Sequence, residues 1–86
     1  MNERRLSIRH LVHLNVDLYH EDIGHIDGNI RDVSSGGMNV HLFNSANLRG
    51  QLSEKILIVK PSNMDVLFNM QCLRINGSTI SLKFMD

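Results

Sequence analysis

From Leu11 to Tyr19 every second residue is apolar. Val12, Leu14, Val16 and Leu18 share one side, and His13, Asn15, Asp17 and Tyr19 the other. A period of two places alternate side chains on opposite faces, which is the signature of a half-buried strand. The pattern recurs. Ile26, Gly28 and Ile30 share a face over roughly 25–33, with Gly28 marking a bulge or sharp bend. Met38, Val40 and Leu42 form a third row, with Asn39 and His41 opposite. Residues 54–60 are nearly all apolar, and Pro61 ends that run. Met64, Val66, Phe68, Met70 and Cys72 form the row of a fifth strand over 64–75, and Ile80, Leu82 and Phe84 that of a sixth over 78–85. Turn signals separate the runs: Glu21 to Gly24, the Ser-Ser-Gly-Gly stretch, the loop 44–53, and Asn76-Gly77, a favoured hairpin pair when both residues take positive φ. Six short strands with no convincing helical stretch predict an all-β, antiparallel barrel or sandwich. Closure into a barrel would remove exposed edges, which helps a small chain.

With 86 residues the chain has room for one core. The formal net charge is zero, which argues against a general nucleic-acid binder. The charge is uneven, however. Arg4, Arg5 and Arg9 oppose only Glu3, whereas Asp17, Glu21, Asp22 and Asp27 make an acidic stretch. The single cysteine, Cys72, excludes an internal disulfide and suits a reducing compartment. No secretory signal is visible, and Ile56 to Val59 is far too short a run to cross a bilayer. The expectation is a cytoplasmic domain without direct membrane insertion. Residues 1–10 are polar and lack strand period, so they read as a flexible segment ahead of a barrel at 11–86.

Two stretches carry chemistry. Arg31-Asp32-Val33-Ser34-Ser35-Gly36-Gly37-Met38 offers a carboxylate acceptor, a hydroxyl and glycines that admit close approach. Arg4, Arg5 and Arg9 offer forked guanidinium donors suited to phosphate oxygens and to the guanine O6/N7 edge. Together they are complementary to a phosphorylated guanine ligand.

Arg-x-x-x-Arg (Arg5 and Arg9, preceded by Arg4), followed some twenty residues later by Asp-x-Ser-x-x-Gly (Asp32, Ser34, Gly37), resembles the PilZ domain. Met38, Val40 and the closing Leu82-Lys83-Phe84 fit the same pattern, so the resemblance spans nearly the whole chain. It implies a six-stranded antiparallel β-barrel of split-barrel Greek-key type that binds cyclic di-GMP. It also implies a clamp. Asp32 would accept from the N1–H and N2–H₂ edge of a guanine, and Ser34 would donate to a phosphate or base oxygen. Gly36 and Gly37 would keep bulk away from the ligand, while Arg5 and Arg9 fold over it. An arginine at position 4 is similar to those of members that hold two intercalated copies, and two are expected here. The sequence departs from the family in two places. It stops at Asp86 without the helix that often follows the barrel, so a minimal member, a domain of a longer chain or a partner-covered end is expected. Ile80-Ser81-Leu82 also stands where Gly-Val is common.

Plainer readings stand beside these. The arginines are also a solvated basic tail, and Asp32, Ser34 and the glycine pair are also turn chemistry. His10, His13, His20, His25 and His41 show no compact ligand spacing with acids or Cys72, so no metal is expected. Cys72 reads as a packed thiol, and Met64, Phe68 and Met70 as core. No catalytic set appears, so an enzyme is not expected. The reading is a cyclic di-GMP receptor that signals to a downstream protein or a covalently linked domain when its arm orders. The alternative is an interaction adaptor of the same fold without ligand. A single-stranded nucleic-acid binder would need exposed aromatics, whereas Phe43, Phe68, Phe84 and Tyr19 fall mostly in inward rows.

Overall fold

The computed structural model describes residues 10–43 and 52–85. The strands are β1 (His10–His20), β2 (Gly24–Val33), β3 (Gly37–Leu42), β4 (Ile56–Pro61), β5 (Phe68–Asn76) and β6 (Thr79–Phe84). They close antiparallel into a barrel in the order β1-β2-β3-β6-β5-β4, with β4 returning to pair with β1. β4 beside β1, followed by β2 and β3, is the Greek-key arrangement. Closure leaves none of these strands with an open edge.

The inward rows are those the alternation predicts. Val16 and Leu18, Ile26 and Ile30, Met38, Val40 and Leu42, Leu57 and Val59, Met70 and Cys72, and Ile80 and Leu82 fill the interior. Leu52, from the β3–β4 connection, is fully buried among them. Each such side chain contributes roughly 1.5–3 kcal/mol of burial. Burial pushes the Cys72 thiol up, as befits a packed residue.

The structure corrects the sequence reading in several places. β5 begins at Phe68, so Met64 and Val66 precede it and are 41% and 42% exposed. Pro61 closes β4 from inside the strand and accepts from the Met64 N–H in a turn, and β4–β5 pairing extends only to Val59 and Phe68. The alternation at 64–66 therefore has no strand to pair with. Gly28 marks a close approach rather than a bulge. A Cβ there would sit 2.8 Å from Val40 Cγ1 and 2.9 Å from the His41 carbonyl oxygen. The last hairpin turns on Gly77-Ser78, because Asn76 pairs with Thr79. Gly77 takes φ +64 and no other residue of this turn is left-handed, the sign pattern of a type II′ turn. Phe43 and Tyr19 are exposed, while Phe68 and Phe84 are partly buried and meet edge to face at 5.6 Å.

Among the described residues the ladders shift register at three points, on β1 between Leu11 and Leu14 and at two places where the inward spacing departs from two. Ile30 and Val33 both face inward with two residues between them, and so do Cys72 and Ile75. Register explains both. Ile30 pairs with Val40 but Asp32 pairs with Asn39, so Arg31 is an extra residue. Cys72 pairs with Leu82 but Arg74 pairs with Ser81, so Leu73 is extra. Each is a bulge, which resets the parity of the residues beyond it.

On the outer face, Asp17 of β1 lies opposite Asp27 of β2. His25 Nε2 stands 2.8 Å from Asp17 Oδ1 and 3.1 Å from Asp27 Oδ1. The hydrogen bond to Asp17, aided by both negative charges, holds the imidazole above its ordinary value. A raised value means that this interaction stabilises the fold fully below about pH 6.5 and is lost as pH rises through the folded-state value.

Two outcomes are expected. Proton NMR should place the His25 midpoint above 6.5, and Asp17→Asn should lower it more than Asp27→Asn does. Gly37→Ala should cost about 1–3 kcal/mol or more, because its Cβ would strike the Leu82 carbonyl oxygen. Gly36→Ala, with open space around it, should stay within about 0.5 kcal/mol in the same thermal melts.

Candidate functional site

The bulge at Arg31 decides where Asp32 points. Under strict alternation Asp32 would share the inward face of Ile30. The extra residue instead aligns it with the outward Asn39. The Asn39 amide then donates to both carboxylate oxygens, at 3.1 Å to Oδ1 and 3.3 Å to Oδ2. The Asn39 carbonyl oxygen accepts from Ser81 Oγ at 2.7 Å. The carboxylate fixes which way the Asn39 amide faces, since a flipped amide would set its oxygen against an acceptor-only group, and the Ser81 hydroxyl then serves as donor to the amide oxygen. Three strands thus hold one carboxylate in place.

Ser34, Gly36 and Gly37 form the adjoining β2–β3 turn. The Ser34 N–H donates to the Gly37 carbonyl at 2.8 Å, and Ser34 Oγ approaches the same oxygen at 3.5 Å. The Ser34 residue is 9% exposed, so its hydroxyl sits within the turn. The Gly36 carbonyl accepts from the Phe84 N–H at 3.0 Å, tying the turn to the end of β6. Gly37 is required by the fold itself: only a residue without Cβ fits against the β6 backbone. Asp32, Ser34, Gly36 and Gly37 therefore gather at one end of the barrel. Arg4, Arg5 and Arg9 lie outside the described residues, as does the rest of the clamp segment 1–10 except His10, which opens β1.

The motifs did not include the residues that complete this face. Asn39 and Ser81 orient the carboxylate. Arg31, Arg74 and Lys83 are exposed around the same row, and none of them forms an ion pair among the described residues. Their signal lay in the two apolar spacings of three, Ile30 to Val33 and Cys72 to Ile75, which expose the bulge.

The other side of the β1–β2 hairpin has the opposite character. Asp17 lies six positions from Leu11, the partner of Asp32, or about 20 Å along a strand. A cavity of about 360 Å³ there is lined by Asn15, Asp17, Asp27, Phe43 and Ser62, among others. Its charged lining groups are both carboxylates, which suits it poorly to a phosphate. Asp17, His25 and Asp27 also bring their ligand atoms within 4.8 Å of one another, a compactness that the chain spacing of the histidines concealed. The group is exposed, and its own hydrogen bonds account for its geometry.

No protein-family model matches the chain, and no curated protein matches it. Among solved structures it is similar to the crystal structure of the PilZ domain of CeSA from a cellulose synthesizing bacterium. The TM-score is 0.75 with 16% sequence identity, over 93% of this chain and 82% of that chain. At this identity the likeness concerns architecture, and the closed six-stranded barrel described here is the fold of a PilZ domain.

Proposed function

We propose that this domain is a cyclic di-GMP receptor that regulates other proteins rather than catalysing a reaction. The observation that carries this is the placement of Asp32. A carboxylate, fixed outward by Asn39 and Ser81, stands beside a glycine turn on a face that otherwise carries cations. A carboxylate accepts from the adjacent N1–H and N2–H₂ of guanine and finds no such pair on adenine. Gly36, with open space around it, lets a ligand approach the backbone of the turn. Ser34 would turn its hydroxyl from the Gly37 carbonyl to a ligand oxygen. Arg5 and Arg9 would close from the preceding segment, forking onto phosphate or the guanine O6/N7 edge. Arg4 would help hold a second, intercalated copy.

Ordering the arm costs about 1–2 kcal/mol per residue fixed. Charge-assisted hydrogen bonds at roughly 1.5–3 kcal/mol each can exceed that cost. The arm's rearrangement is the signal. A cytoplasmic setting fits the lone reduced thiol and the ligand. Tyr19 and its cross-strand partner Ile58, both exposed, supply apolar surface for a downstream protein or a linked domain.

Isothermal titration tests the reading. The wild type should bind cyclic di-GMP and not GMP. Asp32→Ala and Arg9→Ala should each lose at least about tenfold, the worth of one charge-assisted contact. Asn39→Ala, which only loosens the carboxylate, should lose roughly fivefold, or ~1 kcal/mol. A folded wild type that takes up no cyclic di-GMP would leave the adaptor reading in its place.

A further inference from the structure

The two bulges act on one row of the barrel surface. Register runs Asp32 to Asn39, Asn39 to Ser81, and Ser81 to Arg74, across β2, β3, β6 and β5. Asp32 stands at one end of that row and Arg74 at the other. Each faces outward because an extra residue precedes it. Without Leu73 in the bulge, Arg74 would follow Cys72 into the core. Leu73, next to the inward Cys72, points outward in either case and is 50% exposed; the bulge keeps the guanidinium outside and turns Ile75 onto the core. Lys83 lies on the same face of β6, two residues beyond Ser81, with Gly37 beside it on β3 and Gln71 on β5. Arg74 therefore lies beyond the Asn39–Ser81 pair on the side away from Asp32, Lys83 lies from Ser81 toward the Ser34–Gly37 turn, and neither has an ion-pair partner among the described residues.

Three inter-strand steps separate the ends of the row, about 14 Å between backbones. A long arginine side chain shortens that gap. The span exceeds a single nucleotide base and suits a ligand that carries a purine edge at one end and a phosphodiester at the other. Leu73, beside Arg74, offers an apolar surface to the face of a second base.

We infer that Arg74 and Lys83 form a second anion subsite, which receives the phosphodiester of a ligand whose guanine edge is held at Asp32. The assignment of the ligand as a cyclic dinucleotide rests on the function proposed above, whereas the anion subsite rests on the row itself. Arg74 would fork onto phosphate oxygens and Lys83 would supply a point charge beside the turn. Both residues are exposed, so their removal spares the core.

The test uses the full chain as wild type, Arg74→Gln, Lys83→Gln and the double variant. Two probes are titrated, cyclic di-GMP by calorimetry and inorganic pyrophosphate by backbone amide shifts. The expected result is a loss of at least fivefold in cyclic di-GMP affinity for each single variant and more for the double, with unchanged melting temperature. The salt dependence of binding should also become shallower. Pyrophosphate should move the Arg74 and Lys83 amides of the wild type and leave the double variant unmoved. If cyclic di-GMP binds and both single variants stay within twofold of the wild type, the subsite is overturned while the receptor reading stands. If cyclic di-GMP fails to bind but pyrophosphate shifts these two amides, the receptor reading falls and the subsite stands. If neither probe acts on the wild type, both are overturned.

Discussion

A small closed barrel permits each strand one arrangement: apolar side chains inside, the rest outside, in strict alternation. The polar face described above follows from two of the three places, among the described residues, where regular pairing is interrupted. Ile30 and Val33 are both needed inside, as are Cys72 and Ile75. Two residues cannot be accommodated between consecutive inward positions unless one strand bulges. The bulges at Arg31 and Leu73 resolve the conflict, and in doing so turn Asp32 and Arg74 to the outside. Core packing thus dictates where the polar groups of the face stand.

What the bulges place, hydrogen bonds then hold. Ser81 orients Asn39, and Asn39 orients Asp32, so a carboxylate on a pleated surface is restrained by two neighbouring strands. The turn beside it is fixed from below. Gly37 lies directly on the β6 backbone, and the Phe84 N–H reaches the Gly36 carbonyl. The glycine of the Asp-x-Ser-x-x-Gly motif therefore has a structural role that is independent of any ligand. It lets β3 approach β6 closely enough to close the barrel.

Most of the architecture was legible in the sequence because period-two alternation is a direct consequence of strand geometry. All six strands and nearly every buried residue follow from it. It misled at Met64 and Val66, where alternation continues past the point at which β4 can offer a partner. The hairpin at Asn76-Gly77 shifted by one residue because pairing of Asn76 with Thr79 fixed the loop as Gly77-Ser78. Of the site, Asp32, Ser34, Gly36 and Gly37 were visible as a motif, and the structure brings them together. Asn39, Ser81, Arg74 and Lys83 were not, because their meeting depends on cross-strand register, which the sequence marks only indirectly, in the spacings of three at Ile30–Val33 and Cys72–Ile75. The contact of His25 with Asp17 and Asp27 was hidden for the same reason: Asp17 meets the other two only through β1–β2 pairing. The arginines at 4, 5 and 9 lie outside the described residues.

The central claim is that the outer face of β2, β3, β6 and β5, not the acidic face around Asp17, receives the ligand. Amide chemical-shift mapping of the labelled protein on addition of cyclic di-GMP tests it residue by residue. The largest changes should fall on Asp32, Ser34 to Gly37, Asn39, Ser81 and Arg74, with Asp17, His25, Asp27 and Lys60 nearly still. Changes concentrated on that second group, or none anywhere in the barrel, would contradict the account.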